Sequence, residues 1–440
     1  MPFSAMPDRQ RRRRLLGPAC VLILQTCTAA GLIAALAADA RAAQRLERPL
    51  RVPLHWRPIS WGGSGAAPRK LGIYAALGGS TTPRLFEFDT GGAGFYPTYA
   101  TGGASSWWGN DVTATGYTFT QKYDGDNIKY KGDVVLTSLG LFADVSAAQP
   151  LLTAFDVVVG QTTSINDQPI DASPHNPPLE AAFWGDFGMA PKQGKPGKDD
   201  SGTLPGPVPI LDSLLAQLQY GSAVIPGFRV HASSERPWVQ IGLGKDDLNL
   251  PAPAMSFSLN LGSGSSATGI PYYDEFVITG TLAISATSSS YCNGQTGMIF
   301  DTGAFTTIHD SGGHVPAALV SGGQVIDNAL VQISGLATAA GSPCPGTASP
   351  FLQFAAGSTV DQDLVWVNAS GGDYLNTGIL PFLSNDIIYN LGHDSADGHL
   401  TIVPQSVPEP LSAAGTVAAV TVSARLRRLR RRIRERDGSC

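Results

Sequence analysis

Two matching tripeptides carry the residue types that acid–base catalysis requires. Asp-Thr-Gly occurs at residues 89–91 and again at residues 301–303, each time directly after an apolar run. Two carboxyl groups within hydrogen-bonding distance cannot both ionise cheaply, so they share one proton and titrate as a pair. One member can then activate a water molecule while the other protonates or polarises a carbonyl group. The repeat therefore predicts that Asp89 and Asp301 meet and form a catalytic dyad.

The residues that follow each acid suit the close approach of two loops. Gly91 and Gly303 let the backbone turn sharply and come near the partner loop, because glycine has no Cβ. Thr90 and Thr302 can hydrogen-bond across the junction and hold the two turns in register. A single Asp-Thr-Gly is also a common turn, so acids that only cap loops remain the alternative. Two copies in matched contexts favour the dyad.

The rest of the chain predicts a mainly β scaffold in two halves. Short runs rich in Val, Ile, Thr, Tyr and Phe alternate with turns that contain Gly and Pro. We expect helices only at residues 209–221 and, more weakly, at 315–323. Residues 190–209 have little to bury and predict a mobile loop near the join of the halves. The predicted domains are residues 43–206 and 207–406, each containing one Asp-Thr-Gly.

Residues 1–42 have the pattern of an export signal. An Arg cluster is followed by an apolar region and by Ala-x-Ala sites. Twin-arginine and ordinary secretory signals both fit, and an uncleaved membrane helix is the alternative. The basic residues 44–60 fit either a prosegment or a first β-strand, and we favour the strand.

Residues 407–440 contain Pro-Glu-Pro, a short apolar segment and an Arg-rich tail, in that order. This order resembles the PEP-CTERM sorting signal of Gram-negative envelope proteins. The apolar segment is shorter than the roughly 20 residues of a spanning helix, which favours a processed tag over an anchor. A surface helix with a basic face is the alternative. The resemblance implies export to the cell envelope, the cell surface or the medium, and a processing enzyme that acts on the motif.

The segment between these ends is strongly acidic. Residues 43–407 keep 16 basic and 30 acidic side chains, a formal net charge of −14, which argues against nucleic acid as a partner. Cys292 and Cys344 are the two cysteines of this segment, and an even number in an exported chain predicts one disulfide. Two unpaired thiols are the alternative.

The histidines do not have the spacing of a zinc site, so we expect neither a metal nor a cofactor. We interpret four singly scattered histidines as surface or loop residues: His309, His314, His393 and His399.

The order of motifs resembles that of the pepsin-like aspartic endopeptidases over nearly all of the mature chain. Residues 72–97 resemble the family's first catalytic loop with the strand before it, and residues 119–135 resemble its hairpin flap. Further matching segments are residues 181–191, 209–221 and 375–404. The resemblance implies an all-β bilobal fold, with two lobes of six-stranded type, a few short helices and a cleft between the lobes.

The same resemblance implies an aspartic endopeptidase that hydrolyses polypeptides with dyad-activated water. It places Tyr123 and Gly125 in the flap that covers the substrate. We expect a monomer that uses no cofactor.

Several positions depart from the family's pattern. Gly92 and Ala304 replace a Ser or Thr whose hydroxyl bonds the outer carboxylate oxygen, so the dyad is expected to hold its proton to higher pH. Tyr96 replaces a Trp that supports the flap, and residues 376–378 read Asn-Thr-Gly without the usual Gly-Asp. These departures leave one alternative function open, a catalytically inactive binding or surface protein with the pepsin fold.

Overall fold

The computed structural model describes residues 45–59, 68–100, 107–123, 128–170, 177–204, 206–250, 253–335, 350–357, 363–392 and 398–405. The predicted export and sorting signals, Gly125 and His393 lie outside these residues. The predicted disulfide does too, because Cys344 is not described.

Nearly all regular secondary structure in the described part of the first half is β-strand. These are β1 (Arg45–Leu46), β2 (Leu50–Pro53), β3 (His55–Pro58), β4 (Arg69–Leu77), β5 (Arg84–Asp89), β6 (Ala93–Pro97), β7 (Val112–Lys122), β8 (Lys129–Phe142), β9 (Leu152–Ile165), β10 (Gln168–Pro169), β11 (Gly185–Met189) and β12 (Lys195–Pro196). A 3₁₀ turn occupies Glu180–Ala182.

The second half adds two short α-helices, α1 (Leu214–Gln217) and α2 (Leu380–Ser384). Its strands are β13 (Ile210–Leu211), β14 (Gln219–Tyr220), β15 (Ile225–His231), β16 (Trp238–Leu243), β17 (Met255–Ser258), β18 (Leu261–Ser265), β19 (Pro271–Tyr273), β20 (Ile278–Ser285), β21 (Ser290–Ile299), β22 (Thr307–Asp310), β23 (Val320–Ser321), β24 (Gln324–Val325), β25 (Leu330–Gly335), β26 (Leu352–Ala355), β27 (Trp366–Asn368), β28 (Asp373–Asn376), β29 (Asn385–Asn390) and β30 (His399–Pro404). Two 3₁₀ turns occupy Lys245–Asp247 and Ala317–Leu319.

Three large sheets organise the described strands. One nine-stranded sheet is built from strands β3 to β11 of the first half, and a second is built from strands β20 to β28 of the second half. The third sheet has six strands in the order β17-β30-β29-β15-β16-β2. The mainly β prediction is therefore confirmed, although each half contains a nine-stranded sheet rather than one of six-stranded type.

The strand β2 joins the third sheet although it precedes every strand of the first large sheet. It pairs antiparallel with β16, with Val52 opposite Val239. Both side chains are fully buried. Residues 45–58 thus contain strands of the folded body, as expected from the strand interpretation of this basic segment.

The helix predicted at residues 209–221 is much shorter than expected. Only the four residues of α1 are helical, and the flanking residues form β13 and β14. Tertiary contacts explain the difference, because β13 pairs with β12 and Asp212 accepts hydrogen bonds from Gly194 N at 2.9 Å and Tyr272 Oη at 2.7 Å. The predicted loop at 190–209 accordingly contains a paired strand, and the weaker helix at 315–323 is a single 3₁₀ turn.

The surface interpretation of the histidines is wrong for His309. This residue lies in β22, is buried, and stacks on Tyr374 with ring centroids 4.0 Å apart. His399 also lies in a strand, β30, where it is half-buried. Within the described part of the chain, no helix is both long and apolar enough to span a membrane.

Candidate active site

The two Asp-Thr-Gly loops leave equivalent strands of the two large sheets. Asp89 is the last residue of β5, and Asp301 follows the end of β21 by two residues. The strand β5 pairs in parallel with β11, which pairs antiparallel with β6. In the second half, β21 pairs in parallel with β28, which pairs antiparallel with β22. Each half therefore presents its acid from the same local arrangement of three strands.

The two threonines lock these loops together through reciprocal hydrogen bonds. Thr90 Oγ1 donates to Phe300 O at 2.8 Å, and Thr302 Oγ1 donates to Phe88 O at 2.6 Å. Each hydroxyl also accepts the backbone N–H of the opposite threonine, at 3.0 Å for Thr302 N and 3.2 Å for Thr90 N. All four hydroxyl–backbone bonds join residues of different halves. They hold the loops in one register.

The glycines allow the acids to approach the opposite loop. A Cβ on Gly91 would lie 2.6 Å from Asp301 Oδ2, and a Cβ on Gly303 would lie 3.1 Å from Asp89 Cγ. The first contact is too short for any real side chain, and the second is tight. Each glycine N–H also donates to Oδ1 of the acid two residues before it, at 2.7 Å in both loops. The structure thus brings all six residues of the two tripeptides to one junction.

The two carboxyl groups differ in their surroundings. Asp89 is buried, whereas Asp301 is half-buried. Burial raises the pKa of Asp89 well above its usual value, and the negative charge of Asp301 and a hydrogen bond between the two acids raise it further. Burial and the neighbouring negative charge therefore both favour the neutral form of the Asp89 carboxyl group.

Asn376 supplies the second acid with a donor. Its side-chain Nδ2 donates to Asp301 Oδ2 at 2.7 Å, and its Oδ1 accepts Gly378 N at 2.9 Å, which fixes the orientation of the amide. The donor that Ala304 cannot provide therefore comes from the neighbouring strand. For Asp301, the amide of Asn376 thus offsets the missing Ser or Thr hydroxyl.

Asp186 occupies the position in the first half that Asn376 occupies in the second. Asp186 lies opposite Glu87, two residues before Asp89, and Asn376 lies opposite Ile299, two residues before Asp301. Asp186 accepts a hydrogen bond from Tyr123 Oη. The sequence-predicted Tyr123 thus reaches the site, but its partner is an acid that sequence reasoning did not identify.

Gly92 makes room for this tyrosine. A Cβ on Gly92 would lie 2.3 Å from Asp89 Oδ2 and 2.7 Å from Tyr123 Oη. A serine or threonine at this position would therefore displace the acid or the tyrosine. Tyr96, the residue that replaces the family's Trp, is buried and stacks on Tyr130 with ring centroids 5.9 Å apart. Its hydroxyl has no hydrogen-bond partner among the described residues.

The signals for Asp186 and Asn376 were present in the sequence but could not be interpreted alone. Asp186 is a charged residue within the otherwise uncharged strand β11, whose five residues are all buried. Asn376 appeared only as a departure from a family pattern. Their shared position becomes visible when the register of the parallel strands is known.

His314, which is exposed as expected, lies beside two aspartates. Asp310, His314 and Asp373 place one potential ligand atom each within 4.8 Å of one another. His314 Nδ1 is already 3.0 Å from Asp310 Oδ1, and the Asp310 carboxylate accepts the backbone N–H groups of His314 and Val315. The described contacts satisfy the cluster from within the protein.

Comparisons with known proteins provide little beyond this geometry. No protein-family model matches the chain, and no curated protein matches its sequence. Among solved structures, the aspartic proteinase from Irpex lacteus is similar, with a TM-score of 0.45 and 14% sequence identity. The match covers 83% of this chain and 100% of that chain. Function therefore has to be inferred from the site itself.

Proposed function

We propose that the protein is an aspartic endopeptidase that hydrolyses peptide bonds with Asp89 and Asp301. The observation that carries this proposal is the junction of the two loops. Asp89 and Asp301 come within hydrogen-bonding reach of each other, and each is oriented by the N–H of its own loop glycine. Reciprocal threonine bonds fix the junction. Turn acids that only cap loops would not require such a link between two halves of the chain.

The two acids have different roles in the proposed reaction. Asp301, which is the less buried acid and accepts the Asn376 amide, acts as the carboxylate base and takes a proton from water. Asp89 holds the shared proton and donates it to the carbonyl oxygen as the water oxygen bonds to the carbonyl carbon. Asp301 then gives the proton that it took from water to the amide nitrogen of the tetrahedral diol, and the C–N bond breaks. At the same time one diol hydroxyl returns its proton to Asp89 and becomes the C=O of the new carboxyl group. A carboxylic acid and an amine are released, and the dyad again holds one proton.

The substrate in this proposal is a polypeptide, and we further propose that the enzyme acts outside the cytoplasm. The export and sorting segments that support this location lie outside the described residues, so the location and the processing enzyme stay predictions from the sequence. The monomeric state and the absence of a cofactor also stay predictions.

A peptide-library digest across pH tests the proposal. We expect cleavage by the wild-type protein that a statine-type inhibitor blocks and that Asp301→Asn abolishes. Asp274→Asn serves as the matched control, because Asp274 is an exposed acid that only accepts the N–H of Phe276. Normal turnover by purified Asp301→Asn would remove the enzyme proposal. A folded wild-type protein that cleaves no peptide would favour the inactive pepsin-like scaffold.

A further inference from the structure

The acid Asp186 places a third carboxyl group beside the dyad. Its side chain is only 3% exposed, and its negative charge acts on Asp89. The equivalent residue of the second half is Asn376, whose amide donates to Asp301. Once it is ionised, Asp186 cannot donate a hydrogen bond, so it cannot then serve Asp89 as the Asn376 amide serves Asp301. The presence of an acid at position 186, where the second half has an amide, therefore requires a different explanation.

Only one of the two carboxyl oxygens of Asp186 has a hydrogen-bond partner among the described residues. Tyr123 Oη donates to its Oδ2, whereas its Oδ1 is buried without a hydrogen-bond partner among the described residues. Among the described residues, Lys70 acts on Asp186 as a cation, and its ammonium lies 2.6 Å from the carboxylate of Glu87. Leaving a buried carboxylate oxygen without a donor costs free energy. A ligand that supplies a positively charged donor would offset this cost.

We propose that Asp186 is a specificity residue that selects substrates with a lysine or arginine side chain next to the scissile bond. The proposal rests on the proposed endopeptidase function and names its substrate class. A long basic side chain carries both the positive charge and the N–H donors that the Oδ1 atom lacks. An acidic substrate side chain at the same place would face three carboxyl groups, and an apolar one would leave Oδ1 unpaired.

Selection of a basic side chain should depend on pH. Burial raises the pKa of Asp186 well above its usual value, and the charge of Glu87 raises it further. Asp186 is therefore neutral in acid and becomes an anion as the pH rises, so the preference for a basic side chain should grow in that direction. The titratable groups that act on this cluster are Glu87, Lys70, Asp89, Asp301, Tyr96 and Tyr123.

The test uses peptides that differ at one side chain. A cleaved peptide from the library is prepared with lysine, glutamine or norleucine on each side of the scissile bond, since norleucine keeps the stem of lysine without the ammonium group. For one of the two positions, we expect the wild-type kcat/KM for lysine to exceed that for norleucine at least about thirtyfold, as for a buried charge pair. The ratio of kcat/KM for the lysine peptide to kcat/KM for the norleucine peptide should rise with pH. In Asp186→Asn it should fall to about one and lose its pH dependence, and Asp186→Glu should restore part of it.

The outcomes separate this inference from the proposed function. A wild-type ratio of one or less at both positions, with inhibitor-sensitive cleavage of the norleucine peptide, would overturn the role of Asp186 and leave the endopeptidase intact. An undiminished ratio in Asp186→Asn would also overturn it. If Asp186→Asn cleaves neither peptide, the ratio is measured from the affinities of paired statine-type inhibitors that carry lysine or norleucine. A wild-type protein that cleaves no peptide at all would remove the proposed function, and this inference with it.

Discussion

Replacing Thr90 by valine tests how strongly the junction beneath the dyad depends on its threonine hydroxyls. Valine has the shape of threonine, so the change removes hydrogen bonds without leaving a cavity. Phe300 O loses a donor at 2.8 Å and keeps only a weak contact with Tyr389 Oη at 3.4 Å, while Thr302 N loses its acceptor at 3.0 Å. Each unsatisfied buried group costs about 1–3 kcal/mol, so we expect a loss of about 2–4 kcal/mol in the free energy of unfolding.

Urea denaturation of the wild type and of the variant measures this loss. Thr401→Val is the matched control, because Thr401 only shares a hydrogen bond with the exposed Ser256 hydroxyl, and it should change stability by less than about 0.5 kcal/mol. Thr302→Val should cost about as much as Thr90→Val. The two changes combined should differ from their sum by at least about 0.5 kcal/mol, because the two hydroxyls belong to one network. A Thr90→Val protein as stable as the control would refute the reasoning.

Three further variants test the surroundings of the acids. Folding raises the pKa of Asp89, so the stability of the wild type falls as the pH rises from the unfolded-state pKa through the folded-state pKa. Asp89→Asn should remove this loss of stability. The melting temperature of this variant should exceed that of the wild type at pH 7 and match it below about pH 4. Gly92→Ala should lower kcat/KM at least about tenfold, because the new Cβ overlaps Asp89 Oδ2 and Tyr123 Oη. Gly244→Ala is the control and should leave kcat/KM unchanged, because a Cβ there has its nearest contact at 3.6 Å. Asn376→Ala should lower kcat about tenfold and move the acidic limb of the pH profile to higher pH, because the ionised dyad loses a donor. Asn368→Ala is its control, because Asn368 ends β27 and its side-chain oxygen accepts hydrogen bonds only from Ser370 among the described residues. Equal pH profiles for the two variants would contradict this role of Asn376.

The sequence was informative where a local pattern carries its own meaning. Two Asp-Thr-Gly turns after apolar runs predict two strand ends whose acids meet, and the structure joins the two loops through Thr90 and Thr302. The mainly β content also follows from local alternation and turn residues. The threonines of the two tripeptides also predict a link across the junction, although the local sequence does not predict the reciprocal pattern of their hydrogen bonds.

The remaining features depend on contacts between distant segments. Asp186 and Asn376 become equivalent only through the register of β11 against β5 and of β28 against β21. The leucine-rich helix was overpredicted because pairing with β12 holds its first residues extended, against their helical periodicity. His309 has a polar side chain, but it is buried and stacks on Tyr374, which lies 65 positions later in the chain. No local sequence pattern predicts this contact.

A carboxyl titration by ¹³C NMR tests the central claim most directly. With aspartate carboxyl carbons labelled, and Asp89→Asn used to assign the signal, the Asp89 carboxyl of the wild type should titrate well above the ordinary pKa of about 3.9. In Asp301→Asn the pKa of Asp89 should fall, because one negative neighbour is gone, while burial keeps it above the ordinary value. An Asp89 carboxyl that titrates near 3.9 in the wild type, or one unaffected by Asp301→Asn, would contradict a proton shared by these two acids.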